Sequence, residues 1–491
     1  MSADLVLTID IGTSSCKVCV FDDRGEILKT AKKEYPAYSP QPGFAEQNPE
    51  EIYQGIKESV KEALVDFSPQ SVEAISFDTM LHSFLLVDRK GTPLYPLLNW
   101  MDTRSAGEVE KLKPLYRQGK FYFKNASPLH TIYHPPRIHW FKENESSLWE
   151  KTSRILSIKD WILEKITGEL FCDYSTASAT GLLNLSSLTW DEEILDFSGI
   201  SKDKLPPLVE PEHTACLQAG DFVENTGLLA GIPVVWGGGD GPFANLGDGA
   251  FHKGEMLVTV GSSGAVRMCS HEPVFDPEER GWCYYLADGV WAGGGAINNG
   301  GIVYSWMKDL IGEEEGWEWD LHRERPLFLP FLTGERSPNW NAYARGILFG
   351  LSYFHTRSAL LQAAFEGVAF RVRSIYDMLC QVMGEPRRVI ISGGFAASDK
   401  GQRVLSDVLG VPVELSSYPS ASAKGAFLLS LKAREKVSSL SELPRSLFPS
   451  YPRVNPLPEA QEFYQQFYQF YQKVYESNRQ LFQEFARFHL A

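Results

Sequence analysis

Two short runs of this chain carry the same device. The first is Ile9-Asp10-Ile11-Gly12-Thr13-Ser14-Ser15-Cys16-Lys17-Val18, and the second is Val258-Thr259-Val260-Gly261-Ser262-Ser263-Gly264-Ala265-Val266-Arg267. Each joins two β-rich stretches through a glycine and small hydroxyl residues, the pattern of strand, tight turn and strand. Glycine lets the backbone turn sharply, so that successive N–H groups can converge on an anion. Alone, either turn would read as an ordinary hairpin. As a matched pair, one in each half of the chain, they suggest two grips on one polyphosphate. Asp10 stands where the second copy has Thr259. A single carboxylate there suits one Mg²⁺, which takes few protein oxygens when phosphates and water supply the rest.

A third feature is Asp240, which follows Gly237-Gly238-Gly239 at the end of the apolar run 231–236. A glycine-flanked carboxylate at a strand end can approach a ligand closely. Its alternative reading is an Asp that caps its own loop. Cys16 and Cys19 form a Cys-x-x-Cys, but residues three apart on a strand face opposite sides. No second cysteine pair stands at metal spacing. The seven cysteines therefore read as buried, reduced thiols of a cytoplasmic protein.

These groups must be positioned by a chain too long for one core, so two domains are expected, 1–246 and 247–491. The formal net charge is -15, and no basic cluster is present. This argues against nucleic acid and anionic membrane as partners. No apolar run reaches membrane-spanning length, and no secretory signal is visible. Residues 5–38 alternate as two or three strands, with a turn at Asp22-Asp23-Arg24-Gly25. A helix is expected over 50–66, with Asn48 as cap and Pro49 in its first turn. Further strands are expected at 72–78, 83–88, 231–236, 388–392 and 411–415, and a helix at 356–383. The segment 458–490 is strongly helical, with apolar residues at 463, 467, 471, 474, 481, 485 and 488. That stripe fits docking on its own domain; the alternative is a homodimer surface.

Taken together, these motifs resemble the FGGY sugar kinases over nearly the whole chain. Asp10-Ile11-Gly12-Thr13-Ser14 resembles the family's first phosphate turn, and Gly261-Ser262-Ser263-Gly264 its second. Pro42-Gly43-Phe44-Ala45-Glu46-Gln47-Asn48-Pro49 is similar to its Pro-Gly-Trp-Ala-Glu-Gln-Asp-Pro hairpin. Trp100-Met101-Asp102-Thr103-Arg104 matches its Trp-x-Asp-x-Arg. Leu329 to Arg336 and Ser392-Gly393-Gly394 also fit, in the family's order. Within the family, Leu81-His82-Ser83 and the run Gly238 to Asn245 resemble the gluconate kinases. Ser127 to His130 and Gly294 to Gly301 point the same way. Phe395 stands where a third glycine is common and is expected to reshape the adenine slot.

The resemblance implies an α/β chain with the two-domain actin/hexokinase-like (ribonuclease H-like) fold and an active site in the interdomain cleft. It implies ATP-dependent phosphorylation of a small sugar or sugar acid, D-gluconate to 6-phosphogluconate, with Mg²⁺ and with Asp240 as general base. Gly12, Thr13, Ser14, Lys17, Gly261, Ser262, Gly301, Gly394 and Ser398 would bind nucleotide, and Asp10 and Asp240 would hold the metal. His82, Ser83, Trp100, Asp102, Arg104 and His130 would bind sugar. Of these, His, Asp and Ser suit hydroxyls, and Arg suits a carboxylate. Glu335 and Arg336 read as a structural ion pair near the cleft. Rival readings are a ketopentose kinase acting on D-xylulose, and a non-catalytic ATP-binding module or sugar-sensing regulator.

Overall fold

The computed structural model describes residues 4–312, 316–416 and 418–488. Two sheets organise the chain. The first has six strands in the order Thr214–Cys216, Pro233–Gly239, Val72–Thr79, Leu5–Ile11, Ser15–Phe21 and Ile27–Glu34. The second has seven, in the order Trp282–Ala287, Val290–Ile297, Gly264–Ser270, Glu255–Val260, Arg388–Ser392, Val413–Leu415 and Arg453–Val454. Helices cover the faces, as parallel strands require. The observed architecture is thus the expected two-lobed α/β arrangement.

The matched runs are matched in space. Leu5–Ile11 and Ser15–Phe21 form an antiparallel hairpin, and Glu255–Val260 with Gly264–Ser270 forms another. Each is closed at its glycine: the Gly12 N–H donates to the Ser15 carbonyl at 3.0 Å, and the Gly261 N–H to the Ser263 carbonyl at 2.9 Å. Each hairpin has a parallel neighbour reached through a helix. The helix Pro49–Ala63 precedes Val72–Thr79, and the helix Arg357–Met383 precedes Arg388–Ser392. Asp10 consequently lies beside Asp78, and Thr259 beside Ser392. The expected cap is present, with the Asn48 side chain accepting from the Glu50 N–H at 3.0 Å.

Two helices join the lobes at close range. Asp240–Gly247 crosses Ala421–Ala433 backbone to backbone, because a Cβ on Gly247 would lie 1.8 Å from the Ala421 carbonyl oxygen and one on Gly425 would lie 2.2 Å from that of Phe243. The second helix also seats on the first sheet. Ser76 Oγ donates to the Ala426 carbonyl at 2.8 Å, and the Phe21 and Phe427 rings stack 4.8 Å apart.

Two expectations need correction. All seven cysteines are free, and Cys16 and Cys19 are buried, but Cys216 is exposed and Cys380 is half-buried. The helix Pro458–Ala486 docks on its own lobe, yet through Ala460, Tyr464, Tyr468, Tyr471, Tyr475 and Phe482. Of the stripe read from sequence, Tyr471 and Val474 are buried, whereas Leu481, Phe485 and Phe488 are exposed. The docking face runs one position along from that stripe, through tyrosines whose hydroxyls find buried partners, Glu366 for Tyr464 and Glu335 for Tyr475. Residues 489 and 490 of the expected helix lie outside the described residues.

Candidate active site

A cavity of about 360 Å³ opens between the lobes. The first lobe contributes Thr13, His82, Trp100 and Asp240 to its walls, and the second contributes Gly261, Ser263, Arg267, Arg336 and Trp340. His82 and Trp340 both hold positive φ, 66° and 50°. For non-glycine residues this is a strained backbone that the surrounding structure must enforce, as at many functional sites.

Asp240 is the first residue of the helix Asp240–Gly247, directly after the strand Pro233–Gly239. The three glycines before it are required by close packing. A Cβ on Gly237 would fall 1.6 Å from the Phe77 carbonyl oxygen, and one on Gly239 would fall 2.4 Å from the Leu81 side chain. From below, the buried Lys159 donates to the Trp236 carbonyl at 2.9 Å and pairs with the buried Asp173. Ser175 Oγ accepts from the Gly239 N–H at 3.1 Å. Asp240 itself accepts from the Gly241 N–H at 2.7 Å. Burial, and then the negative charge of Asp10, push its carboxyl up to about 6 from 3.8, against the pull of Arg267. A carboxylate tuned toward neutrality suits a general base.

Asp10 accepts from Ser422 Oγ at 3.2 Å, and burial raises its pKa against the pull of Lys17. Beside it stands a residue that sequence reasoning missed. Asp78 is fully buried, and among the described residues neither of its carboxyl oxygens accepts a hydrogen bond. Burial, then Asp10 and Asp240, push its pKa well up. The equivalent position in the second lobe is satisfied: the Thr259 and Ser392 hydroxyls lie 3.2 Å apart. An orphaned buried carboxyl beside two others calls for a cation. Among the described residues, no three His, Cys, Asp or Glu side chains converge to hold an ion unaided. The neighbouring carboxyls of Asp10 and Asp78 are the kind of oxygen donors that suit a small hard cation such as Mg²⁺, whose other ligands would be phosphate oxygens and water. The signal available in the sequence was an Asp within the apolar strand run Ile75-Ser76-Phe77-Asp78-Thr79.

The residues expected on the nucleotide side lie as follows. Thr13 accepts a hydrogen bond from Trp100 Nε1 at 2.9 Å, while Ser14 is exposed. Lys17 reaches across to donate to Ser420 Oγ at 2.9 Å. The Gly301 N–H donates to the Gly261 carbonyl at 2.7 Å, and the Gly300 N–H to that of Ser262 at 3.0 Å. At Gly394 nothing lies within 4 Å of where a Cβ would stand, so the backbone there is open to a ligand. Ser398 caps the helix Asp399–Leu409, accepting from the Gly401 N–H. Phe395 packs inward against Phe365, with ring centres 4.9 Å apart, and is 6 % exposed.

The residues expected on the sugar side divide. His82 and Trp100 face the cavity, and His130 stands beside Trp340 with ring centres 5.2 Å apart. His82 Nδ1 donates to the Ala179 carbonyl at 2.8 Å, which leaves Nε2 as an acceptor. Burial, with nearby arginines including Arg336, holds both His82 and His130 neutral, at about 3. Ser83, Asp102 and Arg104 do not line the cavity. Ser83 Oγ accepts from the Ile158 N–H, at the start of the helix Ile158–Thr167. Arg104 pairs with Glu46 and Asp102 and lies over the Phe44 ring, while Asp102 also accepts from the Ala45 N–H. The expected Glu335–Arg336 pair does not form. Glu335 turns away to Arg371 at 2.6 Å, and Arg336 faces the cavity. Adjacent residues on an irregular segment project in different directions, which sequence adjacency conceals.

Comparison with known proteins agrees with this geometry. The chain is 34 % identical to a gluconokinase of Bacillus subtilis, over 94 % of its own length and 93 % of that protein's. It superposes on the gluconate kinase of Lactobacillus acidophilus with a TM-score of 0.92 at 26 % identity, covering 99 % of this chain and all of that one. It superposes equally well, at 0.92 and 26 %, on a xylulose kinase of the same organism, covering 98 % and 99 %. The fold is the two-domain actin/hexokinase-like one. Residues 5–247 match the N-terminal domain and residues 256–434 the C-terminal domain of one family, and the chain belongs to it: the FGGY family of carbohydrate kinases.

Proposed function

We propose that the protein transfers the γ-phosphoryl group of Mg-ATP to the terminal hydroxyl of D-gluconate, giving 6-phosphogluconate. The likeness to gluconokinases, stronger in sequence than the 25 % identity to a xylulose kinase of Staphylococcus epidermidis, supports the substrate. One observation carries the chemistry: the Asp240 carboxyl stands in a cavity whose walls include Thr13 of the first glycine turn and Gly261 and Ser263 of the second.

Asp240 accepts the proton of the attacking hydroxyl. The N–H groups of the turns at Gly12 and Gly261 hold phosphate oxygens, and Lys17 adds positive charge behind the first. Gly301, Gly394 and the helix start at Ser398 flank the nucleotide. Asp10 and Asp240, with Asp78 behind them, would hold Mg²⁺, which neutralises the charge on the transferring group. Neutral His82, through Nε2, accepts from a sugar hydroxyl. Trp100 packs on the carbon chain and keeps Thr13 in place. Closure of the lobes 1–246 and 247–491 over both ligands excludes water, so that ATP is not hydrolysed without sugar.

The equal structural likeness to a xylulose kinase makes D-xylulose the rival substrate. A coupled ADP-release assay with gluconate, xylulose and glycerol decides between them. Turnover greatest on gluconate is expected; preference for xylulose overturns the substrate, and no turnover on any sugar overturns the kinase reading. Seven unbridged thiols suit a reducing cytoplasm. Exposed Leu481, Phe485 and Phe488 suit pairing of two copies, which sedimentation would register.

A further inference from the structure

We infer that Arg336 holds the carboxylate of the acceptor sugar acid and so selects an aldonate over a neutral polyol; this rests on the sugar-acid reading above. The candidate that the sequence offered for that task, Arg104, is committed to Glu46 and Asp102. Arg336 is not committed. Among the described residues its guanidinium makes one hydrogen bond, from Nη2 to the Ile297 carbonyl at 3.2 Å. Its Nε is buried without a partner, and among the described residues no carboxylate pairs with it. Its plane lies over the Trp100 ring, 5.2 Å from the centroid. One edge is thus anchored while the cavity side remains free for a planar, two-point contact.

Among the described residues the surroundings supply no counter-charge. Glu335 turns to Arg371, and the neighbouring His82 and His130 are neutral. A half-buried cation without an anion is unfavourable, and a ligand carboxylate would relieve it, whereas a neutral polyol would not. Position along the cavity also fits. Arg267 Nε lies 3.2 Å from where a Cβ on Gly241 would stand, next to Asp240, whereas Arg336 lies over Trp100 and donates to the Ile297 carbonyl. Arg267 is thus the arginine beside the reacting carboxyl of Asp240, which leaves Arg336 for the other end of the acceptor. An open-chain aldonate carries its anion at the end remote from the hydroxyl that reacts.

The test compares inhibition by D-gluconamide with use of D-gluconate, in the unmodified protein and in Arg336→Gln, Arg336→Lys and Arg267→Gln. The unmodified protein should prefer the acid over the amide by on the order of 30- to 100-fold, the worth of a charge-assisted pair. In Arg336→Gln that ratio should fall toward one, with the KM for ATP nearly unchanged and the melting temperature without ligands no lower than the parent's. Arg336→Lys should recover part of it. A ratio retained in Arg336→Gln, or lost only in Arg267→Gln, overturns the assignment while leaving the sugar-acid reading intact. Failure of the unmodified protein to phosphorylate gluconate removes both.

Discussion

Replacing Asp240 by Asn should do two opposite things, and both follow from one carboxyl. The carboxyl titrates near 6 in the folded chain against 3.8 ordinarily, because burial and Asp10 disfavour its charge. A raised folded value means that the native state binds the proton more tightly than the unfolded state does. The ionised group therefore lowers stability above pH 6, and the penalty vanishes below about pH 4. About two pKa units correspond to ~3 kcal/mol, and water in the cavity reduces this to about 1–3 kcal/mol. Asp240→Asn should accordingly be more stable than the parent by that amount at pH 8, without ligands, and equal to it near pH 4. Denaturant melts at the two pH values measure the difference. Turnover at pH 8 should fall by about 10²–10⁴-fold, the contribution of a general base. If the variant is no more stable at pH 8, the charge repulsion invoked here is wrong. If turnover is near normal, Asp240 is not the base.

The same carboxyl should give kcat/KM an acid limb near pH 6, seen in a pH profile of the unmodified protein and falling away as Asp240 protonates. Asp78→Ser would place a hydroxyl where the second lobe has Ser392; it should raise the Mn²⁺ dissociation constant, read by electron paramagnetic resonance with ATP present, by about tenfold. Gly425→Ala forces a Cβ to 2.2 Å from the Phe243 carbonyl oxygen and should cost about 1–3 kcal/mol by thermal melting, with activity falling as the two crossing helices separate. Arg104→Ala leaves Glu46 and Asp102 buried without their cation; a loss of about 3–5 kcal/mol is expected, and a rise in the gluconate KM with unchanged stability would instead restore Arg104 to the sugar site.

Chemistry that depends on backbone was legible in the order of residues. Gly12 and Gly261 sit in turns because β-branched runs flank them, and local sterics dictate that much without any partner. The same holds for the Asn48 cap and for Asp240 at the end of its glycine run. Side-chain assignments were less secure. Arg104 and Arg336 have the same chemistry and both sit in family motifs, yet one is enclosed by Glu46, Asp102 and Phe44 while the other faces a cavity. Asp78 becomes notable only when the parallel pairing of two strands 68 positions apart in sequence sets it beside Asp10. The sequence by itself determined the two turns, the strands that carry them and the carboxyl between them, since these follow from local conformational preference. Only the tertiary structure decided which charges are paired and which are left facing the cleft, because pairing and burial depend on neighbours that the chain brings together from distant segments.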